Sequence, residues 1–80
     1  MISKRFSLLF FLKKSRGEAS TIYLRVTVDQ QRAELSTKRI CDPNRWNSQT
    51  GRMSGTKEDA RTINAYLDTL QSKVYEVHRV

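Results

Sequence analysis

Eighty residues with fifteen Lys/Arg against eight Asp/Glu make one small basic domain, near the lower size at which a single core suffices, with no room for an internal substrate cavity and a full catalytic apparatus. An apolar share of 38%, three Gly and one Pro exclude a disordered tail. The lone Cys41 excludes an internal disulfide, and a cytoplasmic chain is the expectation.

Charge is regional. Met1 to Lys57 holds twelve Lys/Arg against four Asp/Glu, whereas Glu58 to Val80 holds three against four. The basic part alternates like a β-sheet and the rest reads as an amphipathic helix, so one wet, cationic sheet face is expected, a natural surface for a polyanion.

Lys4 and Arg5 before Phe6 to Leu12 resemble the start of a secretory signal only superficially. The apolar run stops at Lys13 and Lys14 with no small-residue cleavage site, far short of the roughly 20 residues that span a bilayer. Phe6, Leu8, Phe10 and Leu12 alternate with Ser7, Leu9, Phe11 and Lys13, which predicts a first strand. Lys14 to Ala19 around Gly17 reads as a hairpin loop. Ser20 to Val28 alternates cleanly, with Ile22, Leu24, Val26 and Val28 on one face and Thr21, Tyr23, Arg25 and Thr27 on the other.

Asp29 and Gln30 close a tight turn, and the hydrophobic pattern sets the register beyond it. Val28 falls opposite Gln31, Val26 opposite Ala33, Leu24 opposite Leu35 and Ile22 opposite Thr37 on the buried side. On the outer side Thr27 is beside Arg32, Arg25 beside Glu34, Tyr23 beside Ser36 and Thr21 beside Lys38. Arg25 and Glu34 then form a cross-strand ion pair worth about 0.2–1 kcal/mol.

Asp42 before Pro43 is the signature of an N-cap with Pro at the first helical position, so Pro43 to Trp46 is expected as one short helical turn. Asn47 to Gly55 reads as a polar connector, with Met53 touching the core. Thr56, Glu58 and Asp59 mark a helix start. Ala60, Ile63, Leu67, Leu70, Val74 and Val77 then form one apolar stripe whose partner is the sheet. The predicted fold is α+β: a three-stranded antiparallel β-sheet, with strands at about 6–13, 20–28 and 31–41, packed against one long C-terminal α-helix at about 57–77.

Enzymatic candidates are few. His78 has no second imidazole to work with, Cys41 reads as a small buried residue, and Gly51 and Gly55 lack the Lys and spacing of a phosphate loop. No cofactor, metal, small-molecule substrate or membrane partner is implied. Trp46 and Tyr66 suit the core or its edge better than base stacking.

The basic face carries the functional reading. A two-stranded ribbon presenting Tyr23, Arg25, Thr27, Arg32 and Lys38 fits the major groove of B-DNA, where Arg reads guanine and Thr touches base edges or a thymine methyl. Lys13, Lys14, Arg16 and Arg39 flank it towards the phosphates. Leu9 and Phe11 share the outer face and call either for burial of the first strand on both sides or for an external contact. A structured-RNA module and a protein-interaction domain are the alternatives.

Phe10 to Lys14 (FFLKK), Gly17 Glu18, Ile22 to Val28 (IYLRVTV), Ala33 to Thr37 (AELST), Trp46 after a Pro turn, and Ile63 Asn64 before Leu67 together resemble the N-terminal arm-type DNA-binding domain of tyrosine recombinases. The likeness is to the integrases of conjugative transposons, prophages and Bacteroides-type mobile elements. The resemblance implies a sheet laid in the major groove of double-stranded arm-type sites, with Tyr23, Arg25 and Thr27 on the second strand and Arg32, Glu34, Ser36 and Lys38 on the third as contact positions. It also implies a non-catalytic module of a longer recombinase whose remaining domains perform integration and recombination. Two positions depart from the pattern: Gln30 and Lys38 stand where such domains usually carry Gly.

Overall fold

A computed structural model describes residues 6–14 and 20–79. The loop expected between the first two strands, with Arg16, and the basic N-terminal stretch lie outside the described residues. Three strands, β1 (Phe6–Lys14), β2 (Ser20–Val28) and β3 (Gln31–Cys41), form an antiparallel sheet in the order β1-β2-β3. One helix, α1 (Glu58–Arg79), follows. The α+β architecture read from the sequence is the one observed, with β1 one residue longer and the helix running two residues further. No helix among the described residues is long and apolar enough to cross a membrane.

The core forms where the two periodicities meet. Phe10, Ile22 and Leu24 from the sheet, Ala60 and Leu67 from the helix, and Cys41 and Met53 from the segments between are buried. Leu8, Leu12, Val26, Trp46, Ile63, Tyr66, Leu70 and Val74 pack around them. The helix covers less of the sheet than expected. Ala33 and Leu35, predicted on the buried side, are exposed, Leu35 at 56%. They do lie opposite Val26 and Leu24, but β3 is an edge strand whose first half extends past the helical cover.

The register between β2 and β3 holds from Val28 opposite Gln31 to Tyr23 opposite Ser36, then jumps: Ile22 pairs with Arg39 and Thr21 with Ile40. The expected pairs of Ile22 with Thr37 and Thr21 with Lys38 are therefore corrected by a bulge that inserts Thr37 and Lys38. The bulge supplies its own hydrogen bonds. Thr37 Oγ1 donates to the Ile22 carbonyl at 2.7 Å and accepts from the Arg39 amide at 3.2 Å, while Ser36 Oγ accepts from the Lys38 amide at 3.1 Å. Hydroxyl side chains that replace lost ladder bonds are what stabilise such an insertion.

Lys38 sits at φ 64°, and the β2–β3 turn residues Asp29 and Gln30 at φ 51° and 72°. Positive φ costs a residue with a Cβ about 1–2 kcal/mol, partly offset when Gly replaces it because Gly loses more chain entropy on folding. Lys38→Gly is expected to raise stability by about 0.5–1 kcal/mol in urea unfolding. Lys38→Ala, which keeps the backbone strain and removes the charge, should give no such gain.

Between sheet and helix the chain folds more tightly than a polar connector. The Asp42 side chain accepts from the Asn44 amide at 2.9 Å and caps a 3-10 turn, Pro43–Arg45. A small hairpin, β4 (Trp46–Asn47) and β5 (Arg52–Met53), follows. Its bend is held by Asn47, whose Oδ1 accepts from the amides of Gln49 and Thr50. Gly51, at φ 67°, closes it against the backbone of Phe10.

The hairpin is bolted to the helix by side chains. Asn64 accepts from the Met53 amide and donates to the Met53 carbonyl, both at 2.9 Å, as another strand would. Arg52 reaches Asp68 at 2.8 Å and Gln71 at 2.9 Å while lying over the Phe10 ring. Arg45 grips Asp59 through two hydrogen bonds of 2.8 and 3.1 Å. The Arg45 guanidinium holds the Asp59 carboxyl below its ordinary value.

Candidate nucleic-acid interface

Strand alternation sends every second side chain away from the helix. Leu9, Phe11 and Lys13 of β1 lie across from Arg25, Tyr23 and Thr21 of β2, and Thr27, Arg25 and Tyr23 lie across from Arg32, Glu34 and Ser36 of β3. The outer face is thus three strands wide, with β2 at its centre. It brings together seven of the residues singled out from the sequence: Lys13, Tyr23, Arg25, Thr27, Arg32, Glu34 and Ser36.

At its centre is a charge network. Glu34 receives Lys13 Nζ on one carboxylate oxygen at 2.8 Å and Arg25 Nε on the other at 3.2 Å. Both cations also rest on rings: Arg25 lies 4.7 Å from the Phe11 centroid, Lys13 lies 4.6 Å from that of Tyr23, and the two rings are 6.0 Å apart. The Lys13 ammonium, with Arg25 assisting, holds the Glu34 carboxyl below its ordinary value, and the same bond raises Lys13. Two cations around one anion leave the cluster positive, and each long side chain is restrained at both its charged head and its apolar stem.

Phe11 and Leu9, both on this face, divide. Phe11 is half-buried as the floor under Arg25, whereas Leu9 stays exposed at 43%. Arg32 makes no ion pair among the described residues.

The remaining candidates fall elsewhere. Lys14 pairs with buried Ser20 and lines a hollow with Ile40, Cys41, Arg45 and Asp59. Lys38 occupies the bulge and is exposed. Arg39, expected to flank the platform, pairs with buried Ile22 and lies on the opposite side, its guanidinium 4.3 Å from the Tyr66 centroid. Ile40, opposite Thr21 and 61% exposed, stands on the outer face instead. Sequence reading did not single out Ile40, although strict alternation from Ser36 already assigns it there.

Cys41 is buried, and burial pushes its thiol up, away from the reactive thiolate. Among the described residues no group of His, Cys, Asp and Glu could hold a metal.

The family described as "Arm DNA-binding domain", found in tyrosine recombinases and integrases, matches residues 10–80. The chain belongs to that family. It is an arm DNA-binding domain, and DNA is its partner. No match was found among curated proteins or solved structures. Gln30 and Lys38, the two positions at which the sequence departs from the pattern it resembles, both take positive φ, a conformation that Gly adopts without steric cost.

Proposed function

We propose that this arm DNA-binding domain recognises double-stranded arm-type sites sequence-specifically, by laying the outer face of its sheet in the major groove. In this reading it serves a tyrosine recombinase of a mobile element, anchoring that cytoplasmic enzyme on flanking DNA while the recombinase's other domains perform integration and excision. The observation that carries the reading is the outer face itself, where Lys13, Arg25 and Arg32 stand with Tyr23 and Thr27 on a sheet whose other face holds the core. The major groove of B-DNA, about 12 Å wide, admits a two-stranded β-ribbon.

On this proposal the contact set is Tyr23, Arg25, Thr27, Arg32 and Ser36, with Glu34 among them as the partner of Arg25 and with Lys13, Lys14, Arg16 and Lys38 towards the phosphates. Arg39 is assigned its ring contact with Tyr66 rather than a place on the platform. Titration with arm-site duplex is expected to shift the amides of β2 and β3 and leave the outward face of α1 unchanged. Duplex DNA should outcompete duplex RNA of the same sequence; victory for RNA, or shifts confined to α1, would refute the proposal. Arg32→Ala should weaken every duplex to a similar degree and reduce the slope of log affinity against log salt by about 0.9 if Arg32 meets one phosphate.

A further inference from the structure

Resting on the major-groove reading above, we infer that Arg25 is the side chain that reads a guanine, and that Glu34 and Phe11 are the positioning residues that aim it. An arginine on a β-strand ordinarily samples many rotamers, so a base contact costs the freezing of several torsions. Here that ordering is built into the protein. Arg25 presents its Nε edge to Glu34 Oε2 at 3.2 Å, with Nη2 at 3.2 Å from the same oxygen, and its plane rests 4.7 Å from the Phe11 centroid.

The carboxylate in turn is immobilised through its other oxygen, Oε1, by Lys13 at 2.8 Å, and Lys13 is seated on Tyr23. Four residues from three strands thus fix one guanidinium. Among the described residues Nη1 has no protein partner, so the Nη1–Nη2 end remains open to two acceptors side by side. Guanine O6 and N7 are the paired acceptors that the major groove offers to such a fork. Arg32, across the sheet from Thr27, has no equivalent brace and suits a phosphate.

The arrangement also explains an anion on a DNA-binding face. Glu34 weakens binding to any phosphate backbone and is retained for the direction it gives Arg25.

The test is selection of duplexes from a randomised pool by the full chain, compared with Glu34→Ala, Glu34→Gln and Arg25→Lys, after amide spectra confirm that each is folded. The original chain should prefer guanine at one position by about 5- to 150-fold. Glu34→Ala should bind random duplex more tightly than the original yet lose most of that preference, Glu34→Gln should retain part of it, and Arg25→Lys should lose it. Replacing the selected guanine by 7-deazaguanine, which removes the N7 acceptor, should weaken the original chain and leave Glu34→Ala indifferent.

If Glu34→Ala tightens all sequences alike and keeps the guanine preference, Glu34 is only a charge and the inference is overturned, while major-groove recognition stands. If the original chain selects no sequence at all, both fall together.

Discussion

Leu67→Ala should come close to unfolding the domain. Leu67 is fully buried on the helix, with Ile22 and Leu24 as the fully buried counterparts on the sheet. Truncating a buried leucine removes its transfer free energy and leaves a cavity, together about 2–5 kcal/mol. Domains are stable by only about 5–15 kcal/mol, and one of this size belongs near the lower end. Urea unfolding is expected to show a midpoint collapsed towards zero with the slope preserved, and DNA affinity lost in proportion to the unfolded fraction. A loss below about 1 kcal/mol would mean that the helix is not the principal cover of the sheet.

The second large effect is expected at Asn64. Its amide satisfies the N–H and C=O of Met53, a buried residue of β5, and no backbone partner replaces it. Asn64→Ala leaves both groups unpaired at a cost of about 1–3 kcal/mol each, so the β4–β5 hairpin should detach from the helix before global unfolding. Loss of protection at the Met53 amide in hydrogen exchange is the measurement.

Asn64→Asp adds a check with a definite sign. The carboxylate still accepts from the Met53 amide but faces the Met53 carbonyl, which raises its folded pKa above the unfolded value of about 3.9. The lost stability should therefore return as pH falls towards and below that value, because the protonated acid can donate where the amide did, and disappear again as pH rises through the folded pKa.

These two residues show what the sequence made legible. Leu67 was legible because helical periodicity is a property of the chain alone: of the predicted stripe, positions 60, 63, 67, 70 and 74 pack in or on the core, whereas Val77, expected to face the sheet with them, is 75% exposed in the last turns of the helix. The same holds for β2, whose alternation survives intact, and for the pairing of Arg25 with Glu34.

Asn64 was visible only as part of a familiar pattern, with no physical role attached. Its partners belong to a residue eleven positions earlier in the chain, in a hairpin of two-residue strands too short to leave a periodic trace. The bulge escaped for a related reason. Inserting two residues preserves alternation, so Arg39 and Cys41 keep their inward phase while the pairing shifts beneath them. Only Thr37 and Ser36 carry the mechanism, and hydroxyl groups in a strand ordinarily signal nothing. Coverage by the helix was illegible too, since exposure of Ala33 and Leu35 depends on where α1 lies rather than on their own phase.

That uneven cover has an energetic meaning. From Thr37 onward β3 is tied down by a buried hydroxyl, by Arg39 on Tyr66 and by Cys41 in the core. Before that point its backbone bonds to β2 while water reaches both surfaces. Ladder bonds without burial on either side open at lower free energy than those beside a core. The first half of β3 is therefore held to the sheet by its ladder and by the Glu34 ion pairs rather than by the core, and hydrogen exchange should open there before it opens at the anchored end.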